Sequence, residues 1–151
     1  MRSEDGGNRL EVLGEAECRR LLGDAIIGRL AYTEDALPAI QPVHFTLRSD
    51  RIVIPTGEGS KVAAASRGAV VAFEVDDFDP TSRTGWNVTV VGPSHVVTRP
   101  DEVADLDLLG ARAWAPADVP CYIVIETTLV RGRRLTAAPG DVGLPAVAPG
   151  G

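Results

Sequence analysis

Lysine is nearly missing from this sequence: of fifteen basic residues, only Lys61 is not an arginine. A high-GC coding sequence produces such a bias without a functional cause, yet it makes the place of the one lysine worth following. Basic residues as a whole are outnumbered by twenty-one acids, for a formal net charge of -6. That balance works against the dense positive surface needed to grip nucleic-acid phosphates or an anionic membrane. Cysteine is scarce as well. Cys18 and Cys121 lie too far apart in sequence for a disulfide framework or for local zinc-ligand spacing, and read as two reduced, buried thiols. No apolar run approaches the ~20 residues of a membrane span. The opening MRSEDGGNRLE has no apolar core of an export signal, so the expectation is a cytoplasmic protein with neither a nucleic-acid nor a membrane partner.

What is present suits one domain. The 151 residues are 44% hydrophobic and 24% charged, enough to bury a core without a metal or disulfide. Residues 1–9 read as a flexible start, 10–135 as the folded domain, and 136–151 (TAAPGDVGLPAVAPGG) as a disordered Ala/Gly/Pro-rich tail. The first element reads as a short helix. Glu15 and Glu17 stand in its first turn, Arg19 and Arg20 in its last, Leu13 and Cys18 are placed as a hydrophobic staple around Gly14, and Gly23 is placed as a C′ glycine. Six strand-like segments rich in Val, Ile, Thr and aromatics follow at 26–32, 39–47, 51–56, 69–76, 86–97 and 121–130. Ser60 caps a brief helix over 61–66, and Pro100 opens another over 101–109. The class is α+β, mainly β: an antiparallel barrel with a few short helices.

Three segments carry chemistry. In 39–47, Val43, Phe45 and Leu47 share a core face, while Pro42, His44 and Thr46 share a mixed one, in a strand expected to be central. Pro42 cannot donate to a ladder, so part of the backbone there is free to meet something other than a strand. The segment PTGEGSK, 55–61, follows a strand-end region around Thr56 and runs through a glycine loop into Ser60-Lys61. Hydroxyls and one ammonium there suit a phosphate, although the spacing is not that of a Walker A loop. On local pattern alone, a glycine-rich turn with a capping serine and a solvated lysine is the plainer reading. In GWNVTVVG, Trp86 is either a core or rim aromatic or a stacking plate for a planar ring. His44 and His95 are the only histidines and neither has a triad or metal-ligand spacing, so His44 reads as a hydrogen-bonding or packing residue. Glu74, Asp76, Asp77 and Asp79 read as a solvated turn or partners of an arginine rather than a metal site.

The order ECRRLL, GRLAY, PAIQPVHF, IVIPTGEGSK, VVAFEVDDFD, GWNVTVVG and GRRL resembles the pyridoxamine 5′-phosphate oxidase-like flavin-binding family, in particular its short actinobacterial-type members. The resemblance implies a six-stranded antiparallel split β-barrel, homodimeric, with flavin mononucleotide (FMN) in clefts between the subunits. It implies that Gln41, Val43 and His44 run along the flavin, that Thr56, Ser60 and Lys61 approach its phosphate, and that Asn87 reaches the ring edge beside Trp86. His44 stands where such relatives often carry Asn, and Asn87 where they often carry Ser, so a hydrogen-bonding group is kept at each. The arginine-containing C-terminal segment that completes the oxidase's substrate pocket has no match here, so true pyridoxamine phosphate oxidase activity is not expected. The implied function is an FMN-dependent oxidoreductase acting on a small molecule. Its alternatives are the same cleft holding a deazaflavin or haem, and a non-catalytic flavin carrier or redox sensor.

Overall fold

The computed structural model describes residues 7–113 and 119–137. In chain order they form β1 (Arg9–Leu13), α1 (Glu15–Asp24), β2 (Ile27–Glu34), β3 (Leu37–His44), β4 (Thr46–Arg48), β5 (Arg51–Gly57), α2 (Lys61–Ala65), β6 (Val70–Asp79), β7 (Thr84–Val97), α3 (Pro100–Asp107), β8 (Pro120–Glu126) and β9 (Leu129–Thr136). All pairings are antiparallel, along the path β3-β2-β6-β7-β8-β5-β4, with β9 on β7 and β1 on β9. The architecture is mainly β with few helices, and the sheet is open. No helix among the described residues is long and apolar enough to cross a membrane.

Strand β7 is the spine. One edge pairs with β6, while the other pairs first with β9 over Gly85–Val91 and then with β8 over Ser94–Val97. The handover falls at Gly92, where the Glu126 carbonyl packs so closely that a Cβ would collide with it. Period-2 alternation sends Leu30, Phe73, Val75, Val88 and Val90 to one face, where they pack with Ile52, Ile54, Ile123 and Ile125 and with Cys18 and Leu22 of α1. Strands β5 and β8 are buried on both faces, because Val53, Tyr122 and Val124 meet Val103 of α3 on the far side. Tyr122 Oη donates to Asp107 Oδ1 at 2.6 Å, which ties α3 to the sheet. Both cysteines are buried and free.

Several expectations change. Arg19 and Arg20 are mid-helix, because α1 runs on to Asp24; Gly23 lies inside the helix and Ala25 is the C-cap. The arginines bind carboxylates instead of the helix end: Arg19 to Glu15 at 2.8 Å and Arg20 to Glu17 at 2.6 Å. The segment 39–47 breaks at Phe45, whose ring turns into the core edge-on to Phe73 at 4.7 Å, so the run becomes β3 and β4. Strand β3 is not central. It ends the sheet path, which is where a proline-bearing strand is tolerated. The segment 121–130 turns at Thr127-Thr128 into β8 and β9. Arg9 and Thr136, expected in the flexible ends, pair with each other in β1 and β9. The rest of the tail, 138–151, and residues 1–6 fall outside the described residues.

The opposite face of the sheet carries a row in register across five strands: Ile40, Ala31, Ala72, Val91 and Leu129. Ile40 is 71% exposed and Leu129 42%. The next row holds Arg29, which bridges Asp76 at 3.1 Å and Glu74 at 3.6 Å, so these two carboxylates do partner an arginine. Asp79 instead organises a turn, accepting from the Thr81 N–H at 2.9 Å.

Two expected outcomes follow from this packing. The tip of the Phe73 ring lies against Gly28, and a Cβ there would collide with its Cζ. Gly28→Ala should therefore lower stability by about 1–3 kcal/mol, the usual cost of overpacking; an unchanged urea midpoint would show that the ring is free to move aside. A hydrogen bond with Asp76, then burial and the Asp76 charge, push Glu74 up to about 7, against the opposing Arg29. At low pH, folded and unfolded chains both hold this proton. As pH rises from the ordinary carboxylate range through about 7, the unfolded chain releases it first, so this group's support for folding declines across that window. Glu74→Gln should gain stability relative to the parent between about pH 5 and about pH 8, by a modest amount because the group is partly exposed. Parallel pH–stability curves for the two proteins would contradict this.

Candidate functional site

The sheet has two ends that approach each other without pairing. Among the described residues, strand β3 has β2 on one edge and no strand on the other, and β4 covers β5 only over Arg51–Val53. Between the bare edge of β3 and residues Ile54, Pro55, Thr56 and Gly57 of β5 lies a cleft of about 930 Å³. Pro42 and Pro55 face it from opposite sides. The loop after β5 and the start of α2 close one end.

Six of the eight residues singled out in the sequence line this cleft: Gln41, Val43, His44, Thr56, Ser60 and Lys61. Trp86 and Asn87 do not. Trp86 packs against the core rim and borders a separate hollow beside Arg134. Asn87 is on the opposite face of β7, level with Asp76 and Arg133. Adjacent residues of a strand point to opposite faces, so one strand cannot direct both into one cavity of the same chain.

Local chemistry explains the placement. The Ser60 hydroxyl accepts the Ala63 N–H at 3.0 Å, capping α2, and lies 3.0 Å from Thr56 Oγ1. The two hydroxyls thus form a fixed pair on the floor of the loop. Lys61 Nζ lies 3.5 Å from Glu34 Oε1 across the cleft. Tyr32 Oη points toward Gln41 Oε1 at 3.5 Å, and burial, then the Glu34 charge, push its phenol up while Lys61 works the other way. On the β5 side, burial and then Glu58 push the Cys121 thiol up, opposed by Arg67. The most informative atom is His44 Nδ1, which is buried without a hydrogen-bond partner. Among the described residues only Ser66 Oγ shares that condition. A buried polar atom with no partner costs about 1–3 kcal/mol.

Sequence reasoning missed Tyr32, Glu34, Glu58 and Arg67, all of which border the cleft. A signal existed for the first two: alternation in β2 puts Tyr32 and Glu34 on the face of buried Leu30. Glu58 lies within the PTGEGSK segment itself, whereas nothing local marks Arg67. No cluster of three metal-ligating side chains occurs among the described residues.

Comparison with known proteins gives this geometry a context. The family model described as pyridoxamine 5′-phosphate oxidase matches residues 14–134. The uncharacterized protein Rv0080 of Mycobacterium tuberculosis is 38% identical over 130 residues, covering 83% of this chain and 85% of that one. Among solved structures, the FAD binding protein from Mycobacterium smegmatis is 28% identical with a TM-score of 0.69, covering 82% of this chain and 98% of that one. The FAD and heme binding protein of the same organism shares the fold at 16% identity and a TM-score of 0.68, covering 87% of this chain and 76% of that one. With a family match that runs from the N-cap of α1 almost to the end of β9, the chain belongs to the pyridoxamine 5′-phosphate oxidase-like family.

Proposed function

We propose that this protein is a flavin-binding oxidoreductase that works as a homodimer, holding FMN in the cleft between β3 and β5 and acting on a small planar molecule. The observation that carries the reading is a cleft of about 930 Å³ whose lining combines polar groups on Gln41, Tyr32 and His44 with the hydroxyls of Thr56 and Ser60 and the cations Lys61 and Arg67. A volume of this order suits a cofactor. The residues fit a phosphorylated flavin: Val43 and Ile54 offer apolar contact, Gln41, Tyr32 and His44 offer polar groups for a heterocycle, and the Thr56–Ser60 hydroxyls with Lys61 and Arg67 suit a phosphate. The resemblance to an FAD binding protein at 28% identity supports a flavin.

When bound, a flavin supplies two-electron acceptance and return without a protein base. The chain's own work is to bind and orient. The apolar walls exclude water, and the side chains of Gln41 and His44 fix the ring's orientation through hydrogen bonds. Haem is the second reading, since the fold is shared with an FAD and heme binding protein. His44 is the only histidine on the cleft, and a metal-ligating histidine normally donates its second ring nitrogen to a partner. His44 Nδ1 has none, which favours flavin.

The homodimer rests on the in-register row from Ile40 to Leu129, an apolar stripe that a second copy would cover. Asn87 lies on that same face of the sheet, so a site completed by the second copy would draw on it. An obligate interface of this kind would bury more than ~2,000 Å² in total.

The purified protein should be yellow, or take up added FMN with quenching of flavin fluorescence. A haem Soret band, a deazaflavin spectrum, or a colourless protein indifferent to FMN would each overturn the cofactor. Light scattering at micromolar concentration should return twice the 15.9 kDa chain mass, and a monomer would contradict the shared site. Turnover of a nicotinamide donor with an artificial acceptor is expected; a bound flavin that stays inert would make the protein a carrier.

A further inference from the structure

Lys61 is the cation that the sequence puts forward for an anionic group, but it is not the one the cleft leaves available. Its Nζ is paired with Glu34 at 3.5 Å, and its side chain is 85% exposed. Arg67 lines the same cleft and makes no ion pair with any carboxylate among the described residues. Arg67 follows Ser66 at the end of α2 and lines the same cleft as Thr56 and Ser60, the hydroxyl pair at the helix start.

The backbone that carries Arg67 is clamped. Ser66 is fully buried and closes α2, its N–H donating to Val62 O at 3.0 Å. Gly68 takes a φ of +66°, a conformation glycine adopts without strain, and its N–H donates to Ser94 O at 3.2 Å. The buried Ser94 hydroxyl then reaches both Ser66 O and Ala69 O, each at 2.8 Å. A buried serine bracketing one exposed arginine, before and after it in the chain, fixes where that side chain starts.

We infer that Arg67 is the residue that anchors the phosphate of the flavin, ahead of Lys61, which Glu34 holds at the rim. This rests on the flavin reading above. The planar guanidinium presents two parallel N–H donors to two phosphate oxygens, which an ammonium already shared with a carboxylate does not match. Glu58 is another carboxylate that lines the cleft, and it makes a cation there necessary if an anion is to bind.

The test is titration of FMN and of riboflavin, which lacks the phosphate, into the full-length parent, Arg67→Ala, Arg67→Lys and Lys61→Ala at one fixed salt concentration. Arg67→Ala should lose roughly ten- to a hundredfold in FMN affinity with riboflavin unchanged, the scale of one charge-assisted contact. Arg67→Lys should recover part of the loss, and Lys61→Ala should lose less than Arg67→Ala. If Arg67→Ala binds FMN as the parent does, or loses FMN and riboflavin equally, the inference fails while the flavin reading stands. If the parent binds neither ligand, the flavin reading itself fails.

Discussion

The cleft exists because a sheet stops pairing. Among the described residues, β3 has no strand on its outer edge and β5 has none on the facing edge beyond Val53, so two bare backbone edges face each other. Pro42 on one and Pro55 on the other have no N–H to give, and neither could take full part in a ladder that joined them. A closed sheet would have filled this space with hydrogen bonds. The open one leaves a cleft whose walls are fixed by the core beneath: Val43 and Ile54 are buried in it, and Phe45 turns in behind them against Phe73.

Charges of both signs border that opening. Glu34 pairs with Lys61, and Glu58 and Arg67 also line the cleft. The cleft is therefore near neutral despite the chain's overall negative charge, so an anion meets local cations rather than the global field. The reverse face of the same sheet is organised differently, as an apolar row beside a row in which Arg29 balances Glu74 and Asp76. One sheet thus carries a ligand-sized cavity at its open ends and a flat apolar stripe on its back.

Much of this was legible in the sequence where the signal was local. Ser60 does cap α2, and Pro100 does open α3. Six of eight candidate site residues share one cleft because they lie in two short segments, 41–44 and 56–61, each read as a unit. The misses have equally physical causes. Strand β1 is exposed along most of its length, so RLEVL shows no buried period. Thr127-Thr128 turns the chain without glycine or proline. Arg67 becomes a neighbour of the cleft only through tertiary packing, which no local pattern encodes. Trp86 and Asn87, which the resemblance places beside one another at the flavin, lie on opposite faces of β7.

Amide hydrogen exchange with and without FMN tests the central claim most directly, because it reads the backbone at the unpaired edges themselves. Binding between β3 and β5 should slow exchange in His44 and from Gly57 through Val62, while the amides of α3 are unchanged. Protection confined to the hollow beside Trp86, or absent from both cleft segments when FMN is bound, would place the ligand elsewhere and contradict the account.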